Sequence, residues 1–101
     1  MNDAESPPGV GRVVRIVQGR ETGNYAVVIG VVNERFLLLA DGEKRKFDRA
    51  KKKNISHVEV TPHVSKEVKR SIEETGRVTN AKLRFALSSA QEQPQLLKEG
   101  E

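Results

Sequence analysis

Apolar positions follow two different rhythms along the chain. As far as Val60 they form short β-branched runs broken by glycine, and beyond Pro62 they recur every third or fourth residue. Val10–Val17 (VGRVVRIV) is the first run, Tyr25–Val32 the second, Phe36–Leu39 the third and Ser56–Val60 the fourth. In the last of these, Val58 and Val60 fall on one face and His57 and Glu59 on the other, the alternation of a half-buried strand. The stretch between Gly42 and Asn54 is available for a further strand. Connections are brief: Gly19–Asn24, Asn33-Glu34 and Asp41-Gly42, the last a hairpin-type dipeptide. Several short strands at this spacing predict a small barrel.

The second and third runs are apolar on both faces, so something must cover the side turned away from the barrel. The C-terminal third supplies it. Val64, Val68 and Ile72 share one helical face, with Pro62 near the start and Gly76 as the stop. Thr79 is placed to cap a second helix, Val78 and Leu83 to form its hydrophobic staple, and Leu83, Leu87 and Ala90 to continue one face. The expected organisation is a polar tail over residues 1–9, a barrel over 10–62, one or two α-helices packed on it over 63–90, and a second polar tail over 91–101. No internal repeat is visible.

Composition narrows the chemistry. The 101 residues are 36% hydrophobic and 32% charged, with one Tyr, three Phe and no Trp, so the core must be small and aliphatic. A domain of this size buries about 60–65% of its unfolded surface, enough for one compact module and too little for a deep substrate cavity. This argues against an enzyme and a small-molecule substrate. Cysteine is absent, which removes disulfides, thiolate nucleophiles and cysteine zinc sites. The opening MNDAESPP lacks the basic start and apolar centre of a signal peptide, and the apolar runs are far short of a membrane span, so the expected setting is the cytoplasm with no membrane partner.

Net charge is +4, and it is unevenly spread. The segment KRKFDRAKKK holds seven basic residues, Lys44, Arg45, Lys46, Arg49, Lys51, Lys52 and Lys53, against the single acid Asp48. Such a concentration suits an anionic polymer. It also has a plainer reading as a solvated, lysine-rich edge strand that deters aggregation. The loop GRETGNY is equally two-sided. Gly19 and Gly23 can adopt positive φ and simply make a turn, or they can let a phosphate approach the backbone while Arg20, Thr22 and Asn24 add charge and hydrogen bonds. Tyr25 and Phe47 could stack on unpaired bases or serve as barrel and core residues. His57 and His63, six apart and without cysteine partners, do not make a metal site, and no catalytic constellation or cofactor motif emerges.

The order of these parts carries a resemblance. GRVVRIVQGRETGNYAVVIGVV, Gly11 to Val32, is similar to a KOW motif, the strand, glycine loop and strand unit of several ribosomal and transcription-factor proteins. The strand FLLLADG, the basic run, and then Asn54-Ile55-Ser56-His57-Val58-Glu59 followed by Thr61-Pro62 extend it. Together they resemble the KOW-containing large-subunit ribosomal protein family of archaea and eukaryotes often called fourteen-e, and above all short free-standing bacterial relatives of it. The resemblance covers roughly Val10 to Pro62. It implies a mainly β, SH3-like small barrel and non-enzymatic RNA binding, usually to ribosomal RNA, with ribosomal proteins as further partners. Carried over by position, Gly23 takes the motif's characteristic glycine, Gly19 and Arg20 the preceding glycine and basic position, and Lys51, Lys52, Lys53 and Asn54 the basic run before the last strand. Ala26 stands where many KOW motifs have glycine. The rival reading is a protein-interaction module of the translation or transcription machinery, because fold alone does not assign function.

Overall fold

The computed structural model describes residues 8–92. Five strands, β1 (Arg12–Ile16), β2 (Tyr25–Val31), β3 (Phe36–Ala40), β4 (Lys51–Asn54) and β5 (Val58–Val64), precede two helices, α1 (Lys66–Thr75) and α2 (Asn80–Gln91). The strands form one antiparallel sheet in the order β4-β3-β2-β1-β5. A single 3-10 turn, Ile55–His57, carries the chain from one edge strand to the other and curls the sheet shut. Its ends are tied to the two opposite parts of the sheet: the Ile55 amide donates to the Arg35 carbonyl at 2.8 Å, and the His57 carbonyl accepts from Val17 at 2.9 Å. The Asn54 side chain caps the turn by accepting from the Ser56 amide at 2.8 Å. This is an SH3-like small barrel.

Alternation of side chains across the central strands builds two cores. Val14, Ile16, Ala26, Val28, Leu37 and Leu39 point into the barrel, where Ile55, Val58 and Val60 close over them. Their sequence neighbours Val13, Val27, Ile29 and Ala40 point the other way, onto Val68 of α1 and Val78, Leu83, Ala86 and Ala90 around α2. Burying each such Val or Leu stabilises the fold by about 1.5–3 kcal/mol. The helix layer thus answers the demand made by the two-faced apolar strands.

Local chemistry sets the element ends. Ser65 caps α1, its Oγ accepting from the Val68 amide at 3.2 Å, and Gly76 ends it at φ +77°, where its amide donates to Ile72 at 2.8 Å. Thr79 caps α2 by accepting from Lys82 at 3.2 Å, and the staple residues Val78 and Leu83 are both buried. At the β1–β5 irregularity between Arg12 and Val14, the buried Thr61 hydroxyl donates to the Val13 carbonyl at 2.6 Å and so satisfies it. β5 runs through Pro62 to Val64; it pairs only with β1, which leaves an outward edge where a missing amide hydrogen costs nothing.

Four details differ from expectation. Only Lys51–Asn54 of the basic segment is strand, because Phe47 turns inward: its ring packs on the helix-side core, its amide donates to Asn80 Oδ1 at 2.8 Å, and residues Phe47–Arg49 form a 3-10 turn. Asp41-Gly42 is the start of a longer loop in place of a two-residue hairpin, since Asp41 Oδ1 accepts from the amides of Glu43 and Arg45 at 2.8 and 2.9 Å. Val64 ends β5 and is not part of the helical face, and Ser56 lies in the turn before it. The expected tails fall almost wholly outside the described residues, although Gln91 is the last residue of α2. No described helix is long and apolar enough to cross a membrane.

Candidate nucleic-acid interface

The Gly19–Asn24 loop joins β1 to β2 and is folded tightly on itself. The Thr22 hydroxyl donates to the Gly19 carbonyl at 2.6 Å, and the amides of Thr22, Gly23 and Asn24 donate to Gly19, Ile16 and Glu21 at 3.3, 2.7 and 3.0 Å. Among the described residues nothing accepts from the amides of Gly19, Arg20 or Glu21. The back half of the loop is therefore closed to a ligand and its front half is open. Both glycines need their freedom, Gly19 at φ +103° and Gly23 at φ +95°.

A Cβ on Gly23 would meet nothing within 4 Å, so the expected cost of Gly23→Val is chiefly backbone strain. That strain is about 1–2 kcal/mol, and a thermal melt should show the midpoint falling by roughly 4–8 °C per kcal/mol. An unchanged midpoint would show that the turn tolerates a β-branched residue.

β4 runs beside this loop, and its alternation sorts the lysines. Lys51 and Lys53 lie opposite Leu39 and Leu37 on the inward face, whereas Lys52 faces outward, its ammonium 4.8 Å from the centre of the Phe36 ring. Lys51 and Lys53 line a narrow groove, about 10 Å³ in volume or roughly the room of one water, with Glu21, Asn24, Tyr25, Asp41 and Arg45. An adjoining groove takes in Asn24, Tyr25, Asp41, Glu43, Lys44 and Arg84. Five cations (Lys44, Arg45, Lys51, Lys53, Arg84) and three carboxylates (Glu21, Asp41, Glu43) therefore border the two grooves. The acids are partly engaged: Glu21 pairs with Arg45 at 3.6 Å, and Asp41 holds the loop amides already described. The exposed Arg20 extends the positive rim from the loop side.

Other expected site residues lie elsewhere or have other work. Lys46 and Arg49 are exposed but border neither groove, and Arg49 belongs to the 3-10 turn. The Asn54 and Thr22 side chains serve the fold through the bonds given above. Phe47 is a core anchor, its ring 5.8 Å from the Arg77 guanidinium, while Tyr25 is half-buried against the helix-side core and borders both grooves. Among the described residues no cluster of His, Asp and Glu could hold a metal ion. His63, on β5, has its pKa lowered by burial and so adds no charge near neutral pH.

Sequence reasoning missed Arg84. Its guanidinium donates to the Gly42 carbonyl at 2.7 Å and fastens the loop carrying Lys44 and Arg45 to α2. Nothing in the helical periodicity distinguishes it from other exposed cations. The available signal was Gly42, at φ +81°, where the loop presses directly on α2.

Comparison with known proteins gives the grouping a context. No family model matches the chain. YbzG of Bacillus subtilis strain 168, provisionally named a ribosome-binding protein, is 54% identical over 54 residues, covering 54% of this chain and 73% of that protein. The large ribosomal subunit protein eL14 of Hyperthermus butylicus is 29% identical over 75 residues, covering 66% of this chain and 76% of the relative. Its counterpart in Pyrobaculum calidifontis is 40% identical over 52 residues, which span 52% of this chain and 50% of the relative. With an SH3-like barrel, the KOW-like order of parts and these matches, the chain belongs to the family of YbzG, a family of short, free-standing proteins similar to eL14.

Proposed function

We propose that the protein is a non-enzymatic ribosome-associated factor of the cytoplasm that binds RNA, ribosomal RNA foremost, across the β1–β2 loop and the cationic grooves beside it. The observation that supports this reading best is the convergence of Arg45, Lys51 and Lys53, distant in sequence from Gly19–Asn24, on that loop. Its relatives are named for the ribosome or its large subunit. Lysines supply point charges and arginines a fork that matches phosphate oxygens. The residues carrying it are Arg20, Lys44, Arg45, Lys51, Lys53 and Arg84, with Tyr25 available at the groove edge.

Binding of this kind works by releasing counterions. With three to five phosphates of single-stranded RNA engaged, log affinity should fall against log salt with a slope of roughly −2 to −3.5. Fluorescence anisotropy with a labelled ribosomal RNA fragment over a salt series measures it, and a slope near zero would remove the electrostatic basis of the reading.

A second reading, contact with a ribosomal protein, is favoured by one observation: Phe85 on α2 is 64% exposed. Retention on RNA-free ribosomal protein, lost on Phe85→Ser and unaffected by salt, would identify that mode.

A further inference from the structure

Lys53 does not behave like its two neighbours. Its side chain is 7% exposed, and its aliphatic stem runs along the mouth of the barrel beside Ile16, Ala26 and Leu39. This is a lysine laid over apolar surface with only its tip emerging. The tip emerges at Gly19: a Cβ built there would stand 2.6 Å from the Lys53 Nζ. Only a glycine leaves that space free without displacing the ammonium. Among the described residues no carboxylate lies within salt-bridge range of Lys53 and nothing accepts a hydrogen bond from it; Glu21, which borders the same groove, pairs with Arg45 instead.

The ammonium keeps contact with solvent and has no acceptor within the described protein, so its hydrogens are available to an anion that reaches the barrel mouth. Gly19, against which it rests, and the two residues that follow, Arg20 and Glu21, are those whose amides find no acceptor among the described residues either. Two sets of donors that no described protein group engages thus lie together at the barrel mouth. A tetrahedral oxyanion satisfies both, since it offers several acceptor oxygens to an ammonium and to consecutive amides together.

We propose that the Lys53 ammonium and the amides of Gly19, Arg20 and Glu21 form a discrete seat for one phosphate group, which fixes the register of an RNA backbone along the grooves. The proposal rests on the RNA reading for the source of that phosphate. In this arrangement Lys51, Lys44 and Arg20 attract the polyanion over a distance, whereas Lys53 grips a single phosphodiester. Lys52, on the opposite face over Phe36, has no part in the seat.

The test compares Lys53→Met with Lys52→Met in the full chain. Methionine keeps an unbranched apolar stem, and both variants lose one charge. Lys53→Met should weaken binding of a labelled ribosomal RNA fragment about tenfold, the loss of one charged hydrogen-bonded contact, and Lys52→Met about threefold or less. Equal losses would overturn the seat. A second measurement uses the unaltered protein. Inorganic phosphate, titrated in a chloride buffer of constant ionic strength, should shift the amide resonances of Gly19, Arg20 and Glu21 and the Lys53 Nζ signal with one common saturation curve. Absence of those shifts would overturn the seat even if Lys53→Met failed to fold. If the unaltered protein binds no RNA yet these signals shift with phosphate, the RNA reading falls and the seat stands. If it binds RNA and the signals do not move, the reverse holds.

Discussion

Replacing Gly42 with alanine is expected to prise α2 away from the barrel and to be the most damaging alanine substitution among the described glycines. Gly42 sits at φ +81°, and a Cβ there would fall inside the contact radius of the Asn80 carbonyl oxygen, 2.9 Å from the Leu83 Cβ and 3.1 Å from the Arg84 Cγ. Strain at positive φ contributes about 1–2 kcal/mol and overpacking about 1–3 kcal/mol. A combined loss of roughly 2–5 kcal/mol lowers the thermal midpoint by about 10–25 °C in a domain of this size. The damage should spread along the loop, because the Arg84 bond to the Gly42 carbonyl and the Phe47 bond to Asn80 span the same contact. Gly76→Ala is the control: its φ is +77° but its Cβ would meet nothing within 4 Å, so only the backbone cost remains. Calorimetry of the two variants separates clash from strain. Equal midpoints would show that α2 is not pressed on the loop as described.

The second large effect concerns affinity with the fold kept intact. Reversing Arg20, Lys44 and Lys51 to glutamate should weaken RNA binding at least about a hundredfold near physiological salt, since each charged contact is worth about 1.5 kcal/mol or more and each reversal also adds repulsion. None of the three is a core residue: Arg20 and Lys44 are exposed and Lys51 is half-buried. Reversing Lys51, Lys52 and Lys53 together would be a poorer experiment. A glutamate at position 53 would be buried in the groove that already holds Glu21 and Asp41, and lost binding would then be confounded with lost stability. Lys66, Lys69 and Arg70 provide a matched control, being exposed on α1 and outside both grooves. Their reversal changes the net charge equally and should leave most of the affinity. Equal losses from the two triple variants would mean that the overall charge acts and the grooves do not.

The barrel was legible because its signals are local. β-branched runs, the glycines that bound them and the Ser and Thr caps each act within a few residues, so the strands, Gly76 and Thr79 could be placed from spacing. The KOW-like order of parts added the closure that no single run specifies. What could not be read depends on tertiary contact. Phe47 belongs by composition to a basic strand, yet the core drew it inward and bent the segment. The three consecutive lysines of β4 are chemically identical in sequence, and only the pairing with Leu37, Leu38 and Leu39 sends Lys51 and Lys53 one way and Lys52 the other. Arg84 needed the position of α2 relative to the Gly42 loop before it could be connected with cations forty residues earlier.

The two cores on opposite sides of the same sheet constrain how this protein can change over time. Val13 and Val14, or Val27 and Val28, are adjacent yet answer to different neighbours, so drift at either must be matched by compensating drift in the barrel or in the helices. Lys44, Arg20 and the outward side of α2 carry no such obligation. The rim can therefore be rewritten while the scaffold beneath stays nearly fixed.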